Sequence, residues 1–226
     1  MADSVDAVEH ALGHGPELLH HFETPEQQKE SATLGMWTFL ATEIMFFGGM
    51  FTAYTVYRGM YYDAFASTSR YMNIVLGTVN TAVLICSSLT MALAVRAGQL
   101  NQRKAVIWFL IATMVLGVAF LGIKGVEYHE KWVEHLVPGF NWQYEDARYS
   151  HHAEILIFLY FMMTGMHALH MVIGEGLLLT LVIMALRKDF TGNWYTPIDM
   201  IGLYWHFVDI VWIFLFPLLY LIGHTH

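Results

Sequence analysis

The chain has 226 residues, of which 56% are apolar and only 13% charged, and its net charge is −8. A soluble domain carries about 25% charged residues, so this composition excludes a disordered chain and argues against a monomeric soluble protein. The negative charge and the lack of basic clusters argue against a nucleic-acid partner. The single cysteine, Cys86, excludes an internal disulfide, a Cys-rich zinc site, an iron–sulfur cluster held by this chain alone and a two-thiolate copper site.

Five apolar runs are long enough to cross a bilayer, because a spanning helix needs about 20 apolar residues. They predict an all-α, polytopic membrane helical bundle with five transmembrane helices, at residues 34–57, 74–95, 105–123, 155–186 and 200–222. The fourth run is unusually long, and we interpret it as one tilted or projecting helix. The alternative is a pair of helices broken at Gly174–Gly176, which would make six spans and place both termini on one side.

The chain divides into a polar N-terminal tail, residues 1–32, and a transmembrane bundle, residues 33–226. The tail lacks the basic and apolar regions of a signal peptide. Lys and Arg are divided almost evenly between the two sides of the membrane. The densest short loop, Arg96–Lys104, favours a cytoplasmic location for the side that it shares with the N-terminus.

Ionisable groups inside the predicted spans need a reason, because a charge at mid-bilayer costs at least about 2.5–3.5 kcal/mol. His206 and Asp209 are three residues apart and share a helix face, so we expect a structural polar pair. His167 and His170 share a face in the same way. For Glu43 three interpretations are open: an uncharged carboxyl, a hydrogen bond to a neighbouring helix, or a proton-relay group.

Metal binding is a weaker interpretation of these residues. A haem bundle usually takes its axial ligands from two helices at matching depth, and the histidines do not repeat in that pattern. Glu127, Glu130 and His135, near the end of the third span, form a conceivable metal set. We expect instead an interfacial segment there and no metal site in this chain.

Five local sequence strings occur in order, one in each span. Together they resemble the haem–copper oxidase subunit III family, in its five-helix bacterial form. The strings are GMWTFLATE followed by MFFGG (35–49), NT with SS (80–88), EYHE (127–130), FMMTGMHALHMVIG (161–174) and YWHFVDIVWIFLF (204–216).

The resemblance implies a subunit of an aerobic respiratory cytochrome c oxidase with no catalytic residue and no metal of its own. The haems and copper would belong to partner subunits I and II, and cytochrome c would bind the complex, not this chain. The expected roles are to stabilise subunit I, to bind structural phospholipid and to support proton uptake and translocation. Glu43 falls on the family's reactive intramembrane glutamate, beside the lipid cleft. The other polar residues on family motifs are Asn80, Glu127, His129, His167 and His170.

The family's mitochondrial form has seven helices, and its first two have no counterpart here. The five-helix form implies a bacterial inner-membrane protein with a cytoplasmic N-terminus and a periplasmic C-terminus. Membership of a respiratory supercomplex stays open.

Other functions remain as alternatives. The same motifs occur in quinol oxidase and nitric oxide reductase relatives, since the electron donor is set by another subunit. A small proton-coupled transporter would use Glu43, Glu175 and Asp209 as a relay, and an isolated dihaem cytochrome would use the histidines.

Overall fold

The computed structural model describes residues 22–69, 73–139, 150–187 and 196–221, and within these ranges helix is the only regular secondary structure. Five helices are long and apolar enough to cross a membrane. A sixth, α2, is short. The helices are α1 (Pro25–Met60), α2 (Tyr62–Ser69), α3 (Ile74–Gln99), α4 (Arg103–Val133), α5 (Ser150–Arg187) and α6 (Thr196–Tyr220).

The predicted all-α membrane bundle with five spanning helices is therefore confirmed. The fourth run forms one continuous helix, and the alternative of a broken pair is wrong. Gly174 and Gly176 lie inside α5 and do not interrupt it. Gly174 instead permits a close approach, because a Cβ atom there would lie 2.9 Å from the ring of Trp205.

All five long helices extend beyond their predicted limits, and two of these extensions are large. α1 begins at Pro25, inside the predicted polar tail, where the Thr24 side chain accepts a hydrogen bond from the Gln27 amide and Glu26 occupies the first turn. These are ordinary helix-start signals in a polar segment. Residues 1–21 of the tail lie outside the described residues.

The other extension is at the end of α4, which continues to Val133 and so contains Glu127 and Lys131 as buried residues. The end of an apolar run in the sequence does not mark the end of the helix. Polar residues can continue a helix when they are hydrogen-bonded inside the bundle.

The sequence did not predict α2, which follows α1 directly. Its Ala64 and Phe65 are buried, and its main packing partner besides α1 is α5. The Phe65 ring lies 5.7 Å from the Tyr54 ring of α1, measured between ring centroids. This short amphipathic segment caps one end of the bundle.

α6 is the most buried of the five long helices and packs against α1, α3 and α5. Its two tryptophans, Trp205 and Trp212, are fully buried. α1 is the least buried, makes its main long-helix contacts with α5 and α6, and is fastened by Tyr54, whose hydroxyl donates to the Leu218 carbonyl at 2.5 Å. α1 thus lies at the edge of the bundle.

The close contact between α5 and α6 gives a matched test. Gly174→Ala would press a methyl group onto the rigid Trp205 ring, and such overpacking costs about 1–3 kcal/mol. Gly176→Ala, with nothing within 4 Å of its Cβ, should be neutral or slightly stabilising because alanine favours helix. Thermal unfolding in detergent, followed by circular dichroism, checks the difference. Equal melting temperatures for the two variants would contradict the close packing.

Candidate functional site

Many of the polar side chains buried in this bundle form separate clusters between two or three helices. Their geometry decides what each can do. Such groups mediate helix association in membranes because hydrocarbon offers them no hydrogen bond.

The first cluster joins α1 to α5 through Glu43. The Glu43 Oε2 and His170 Nε2 atoms are 3.1 Å apart, and the Glu43 side chain is only 18% exposed. His170 Nδ1 lies 2.8 Å from the Met166 carbonyl, and the Tyr204 hydroxyl donates to the His170 carbonyl at 2.9 Å. Of the three interpretations of Glu43, the hydrogen bond to a neighbouring helix is the one that the structure displays.

The same geometry limits where protons lie. A carbonyl only accepts, so His170 Nδ1 carries a hydrogen and donates it to Met166. The bond between Nε2 and the Glu43 carboxyl therefore contains one proton, held either by the carboxyl as a neutral pair or by the imidazole as an ion pair. This is a proton-sharing pair inside the membrane.

The second cluster is a buried ion pair in α4 with two tyrosines. Lys124 Nζ lies 2.9 Å from Glu127 Oε2, and both side chains are at most 5% exposed. The hydroxyl of Tyr160 donates to Glu127 Oε1 at 2.7 Å, and that of Tyr220 donates to the same oxygen. Lys124 also donates to the Tyr220 hydroxyl at 2.6 Å and lies 4.6 Å from the ring centroid of Trp212. Both carboxylate oxygens of Glu127 are thus occupied within the chain.

This arrangement bears on the metal set of Glu127, Glu130 and His135. Glu127 is buried and bonded, whereas His135 is exposed beyond the end of α4. Within the described residues, no group of three or more His, Cys, Asp or Glu side chains is placed to hold a metal ion. His129, on the EYHE string, is also exposed.

His167 lies beside the second cluster without joining it. Both of its ring nitrogens are buried and have no hydrogen-bond partner among the described residues. The ring packs against Phe120 and Trp212, with centroid distances of 5.4 and 5.1 Å. His167 and His170 therefore do not act together: His170 bonds to Glu43, whereas His167 packs among aromatic rings. Three residues turn a helix by less than a full circle, so the two side chains point in different directions.

The third cluster fastens α3 to α6 and uses the strings of both helices. Trp205 donates from its indole nitrogen to the Ser87 hydroxyl at 2.8 Å. Trp212 donates to the Thr81 hydroxyl at 3.1 Å. His206 Nδ1 and the Ser88 hydroxyl are 2.8 Å apart. The serine and threonine hydroxyls of the α3 string are therefore the hydrogen-bond partners of the tryptophan and histidine side chains of the α6 string.

The expected pair of His206 and Asp209 is not hydrogen-bonded. His206 bonds to Ser88, and neither oxygen of the Asp209 carboxyl has a partner among the described residues. Both residues nevertheless line one groove between α3 and α6. In place of the expected contact within α6, His206 makes a contact with α3. A structural role for His206 and Asp209 remains a prediction.

Asn80 and Glu175 occupy tighter positions at the α4 surface. The Asn80 amide is buried, with its nitrogen 3.5 Å from the Phe120 carbonyl. Glu175 lies over Gly117 of α4, where an added Cβ would meet a carboxyl oxygen of Glu175 and would lie 2.9 Å from the ring of Trp205. The glycine at position 117 thus permits the close approach of both side chains.

Sequence reasoning missed Lys124, Tyr160 and Tyr220. A usable signal was present, since Lys124 and Glu127 are three residues apart and hence share a helix face. The two tyrosines carried no local signal, because their common partner lies on another helix.

Together, the long apolar helices and the polar contacts between them define a polytopic membrane protein. The family model described as "Cytochrome c oxidase subunit III" matches residues 20–224. Cytochrome c oxidase subunit 3 of Alkalihalophilus pseudofirmus is 30% identical over 206 residues, covering 91% of this chain and 94% of that protein. The protein of the same name from Thermostichus vulcanus is 31% identical over 193 residues, covering 84% and 86%. That of Loxodonta africana is 31% identical over 213 residues, covering 89% of this chain and 72% of the elephant protein.

This chain belongs to the cytochrome c oxidase subunit III family. The family predicted from the five strings is confirmed, and the matched relatives include bacterial ones.

The second cluster predicts a strong effect of removing one charge. Lys124→Met leaves the Glu127 carboxylate buried without its cation, and breaking a buried ion pair in this way costs about 3–5 kcal/mol. The double variant Lys124→Met/Glu127→Gln should regain much of that loss. Unfolding in detergent, monitored by tryptophan fluorescence, measures both.

Lys104→Met is the matched control, because Lys104 is exposed on the same helix. It should change stability little. If the Lys124 and Lys104 variants unfolded at the same denaturant concentration, the buried pair would have no structural importance.

Proposed function

We propose that the chain is the subunit III component of an aerobic respiratory oxidase in which cytochrome c oxidation is coupled to oxygen reduction and proton translocation. The observation that carries this proposal is the family match over residues 20–224. In this proposal the haems and copper lie in subunits I and II. The present chain stabilises subunit I, contacts structural phospholipid and supports proton uptake.

The contacts inside the bundle support a structural role. Side chains of the α3 string are hydrogen-bonded to side chains of the α6 string. Both carboxylate oxygens of Glu127 are bonded, one to Lys124 and the other to tyrosine. Side chains held in this way fix the relative positions of helices. A bundle with fixed helices suits a subunit that supports its neighbours.

The transporter alternative is not favoured by the helix geometry. Transporter sites typically lie at broken helices. The only interruption that the sequence offered, at Gly174–Gly176, lies in the continuous helix α5. Glu43 already shares a bond with His170.

Lipid contact fits the surface around Glu43. α1 lies at the edge of the bundle, and its Ile44 and Met45 are exposed by 59% and 77%. A phospholipid acyl chain or a neighbouring apolar subunit would cover this surface. The proposed orientation places the N-terminus in the cytoplasm and the C-terminus in the periplasm of a bacterial inner membrane, in agreement with the basic loop Arg96–Lys104.

Co-purification tests the proposal as a whole. An affinity tag on this chain, used on native membranes in mild detergent, should recover subunits with haem absorption bands and copper. The electron donor follows from adding reduced cytochrome c or a quinol and measuring oxygen uptake. Isolation of the tagged chain without any haem-containing subunit would refute the proposal.

A substitution at Glu43 distinguishes a supporting role of this chain from a direct role in oxygen reduction. Glu43→Ala should leave oxygen reduction largely intact in the assembled complex and mainly reduce thermal stability or lipid retention, because the pair fastens α1 to α5. Oxygen uptake, melting temperature and bound phospholipid are the measurements.

Glu30→Ala, exposed on the same helix beyond its first turn, is the control and should leave all three unchanged. Complete loss of turnover in a fully assembled Glu43→Ala complex would mean that this carboxyl takes part in the reaction.

A further inference from the structure

Four tyrosines are buried among the described residues, and their hydroxyl groups have different kinds of acceptor. The hydroxyls of Tyr54 and Tyr204 donate to backbone carbonyl groups. Those of Tyr160 and Tyr220 donate instead to a carboxylate, through the Oε1 atom of Glu127. A carbonyl accepts a hydrogen bond but does not take the proton, whereas a carboxylate can do both. Two of the four buried tyrosines therefore lie beside a base.

Lys124 keeps that base in its charged form. Lys124 Nζ lies 2.9 Å from Glu127 Oε2, and both side chains are at most 5% exposed. The attraction between the two charges is strong because water does not screen it. The Tyr160 hydroxyl is 2.7 Å from the other carboxylate oxygen. A proton donor and an ionised acceptor thus share a short hydrogen bond inside the bundle.

This bond provides what a buried tyrosine requires in order to lose an electron. A phenol that has lost an electron is a strong acid, and retaining its proton would leave a positive charge buried on the ring. If the proton passes to a hydrogen-bonded base, the product is a neutral tyrosyl radical. Tyr54 and Tyr204 have no such base, because each donates to a carbonyl.

The position of Lys124 distinguishes the two tyrosines that bond to the carboxylate. Its ammonium group donates to the Tyr220 hydroxyl at 2.6 Å but lies 3.5 Å from the hydroxyl of Tyr160. A cation bonded to a phenol oxygen withdraws electron density and opposes the loss of an electron. Tyr160 is therefore the easier of the two to oxidise.

A row of oxidisable rings connects Tyr160 to the outer end of the bundle. The ring centroids of Trp212 and Tyr220 are 6.5 Å apart, those of Tyr220 and Tyr160 are 6.4 Å apart, and those of Tyr160 and Tyr128 are 6.2 Å apart. Electrons tunnel quickly between rings at such distances. Tyr128 is half-buried and lies about 8 Å from the end of α4 at Val133. An oxidant at this end can draw an electron from Tyr160 without touching it.

We propose that Tyr160, with Glu127 as its proton acceptor, is a one-electron donor that quenches lipid peroxyl radicals at the surface of this bundle. Peroxyl radicals form in any membrane that contains oxidisable lipid and oxygen. The inference therefore goes beyond the proposed function and does not depend on it.

The step is balanced in electrons and protons. One electron leaves Tyr160 through Tyr128 and converts the peroxyl radical into a hydroperoxide anion, which takes a proton from water and leaves hydroxide. The Tyr160 O–H bond breaks, and its proton crosses the existing hydrogen bond to Glu127 Oε1. The charge remaining on Lys124 is stabilised by the Trp212 ring, whose centroid is 4.6 Å away. When a one-electron reductant such as ascorbate returns the electron, the proton moves back to Tyr160.

Electron paramagnetic resonance with a site-specific label tests the location of the radical. The chain, with the subunits that accompany it, is placed in liposomes with a lipid-soluble azo initiator that releases peroxyl radicals, and samples are frozen. A fluorinated tyrosine at position 160 should add fluorine splitting to the tyrosyl signal. The same label at position 54, equally buried, is the matched control and should add none. A signal without splitting at position 160, or equal splitting from both positions, would overturn the proposal.

Removal of the proton acceptor tests the role of Glu127. The double variant Lys124→Met/Glu127→Gln removes both charges and keeps an amide oxygen that accepts the hydrogen bond but not the proton. With the label at position 160, it should lower the split signal at least several-fold. An unchanged signal would refute the role of the carboxylate. If the double variant fails to fold, the two labelled chains remain decisive, because both contain Glu127.

The quenching itself is measured as the rate at which lipid hydroperoxide accumulates, with ascorbate outside the liposomes to regenerate the tyrosine. Tyr160→Phe should accumulate hydroperoxide faster than the unaltered chain, whereas Tyr54→Phe should not. Equal rates for the two variants would overturn the quenching role.

This inference and the proposed function fail in different ways, because neither measurement uses the oxygen-reducing activity. If no haem-containing subunit co-purifies with the chain, the proposed function fails, and the label still decides the role of Tyr160. If such subunits co-purify but the label shows no splitting, only the inference about Tyr160 is wrong.

Discussion

The structure depends on one constraint: a polar side chain in hydrocarbon must find its hydrogen bond within protein. In water such a group could simply turn outward. Here it must turn toward a neighbouring helix, so each buried polar group also fixes how two helices lie against each other. Trp205 with Ser87 and Trp212 with Thr81 show this directly, since each bond is also a contact between α3 and α6.

Two buried acids meet the same constraint with different consequences. Glu127 is surrounded by a lysine and two tyrosines, so its charge is held in place and its position is fixed. Glu43 shares one proton with His170 at the edge of the bundle, beside exposed apolar residues of α1. The first arrangement fastens α4, α5 and α6 to one another. The second keeps α1 attached while leaving it accessible to lipid or a neighbouring subunit.

Some enclosed polar groups find no such partner. Neither ring nitrogen of His167 and neither carboxyl oxygen of Glu175 or Asp209 has a hydrogen-bond partner among the described residues. Asp209 is nevertheless almost fully enclosed, with 3% of its surface exposed. Packing sets the surroundings of these groups: His167 lies against the rings of Phe120 and Trp212, and Glu175 lies over Gly117.

The sequence alone determined the class of protein and the family, and it favoured five spanning helices with a continuous α5 over a broken pair. Apolar runs of sufficient length and five ordered strings are local properties, so they can be read without knowing which helices are neighbours. It also indicated that Glu43, His170, His206 and Asp209 needed an explanation, since each carries a polar group into an apolar run.

Only the tertiary structure decided the partners of these groups. The bond of His206 to Ser88, and not to Asp209, joins residues 118 positions apart. The cluster of Lys124, Tyr160 and Tyr220 around Glu127 draws on three helices. Spacing along one helix predicts which side chains share a face, but the contact each makes depends on the helix that packs opposite, and that arrangement is set by the whole bundle.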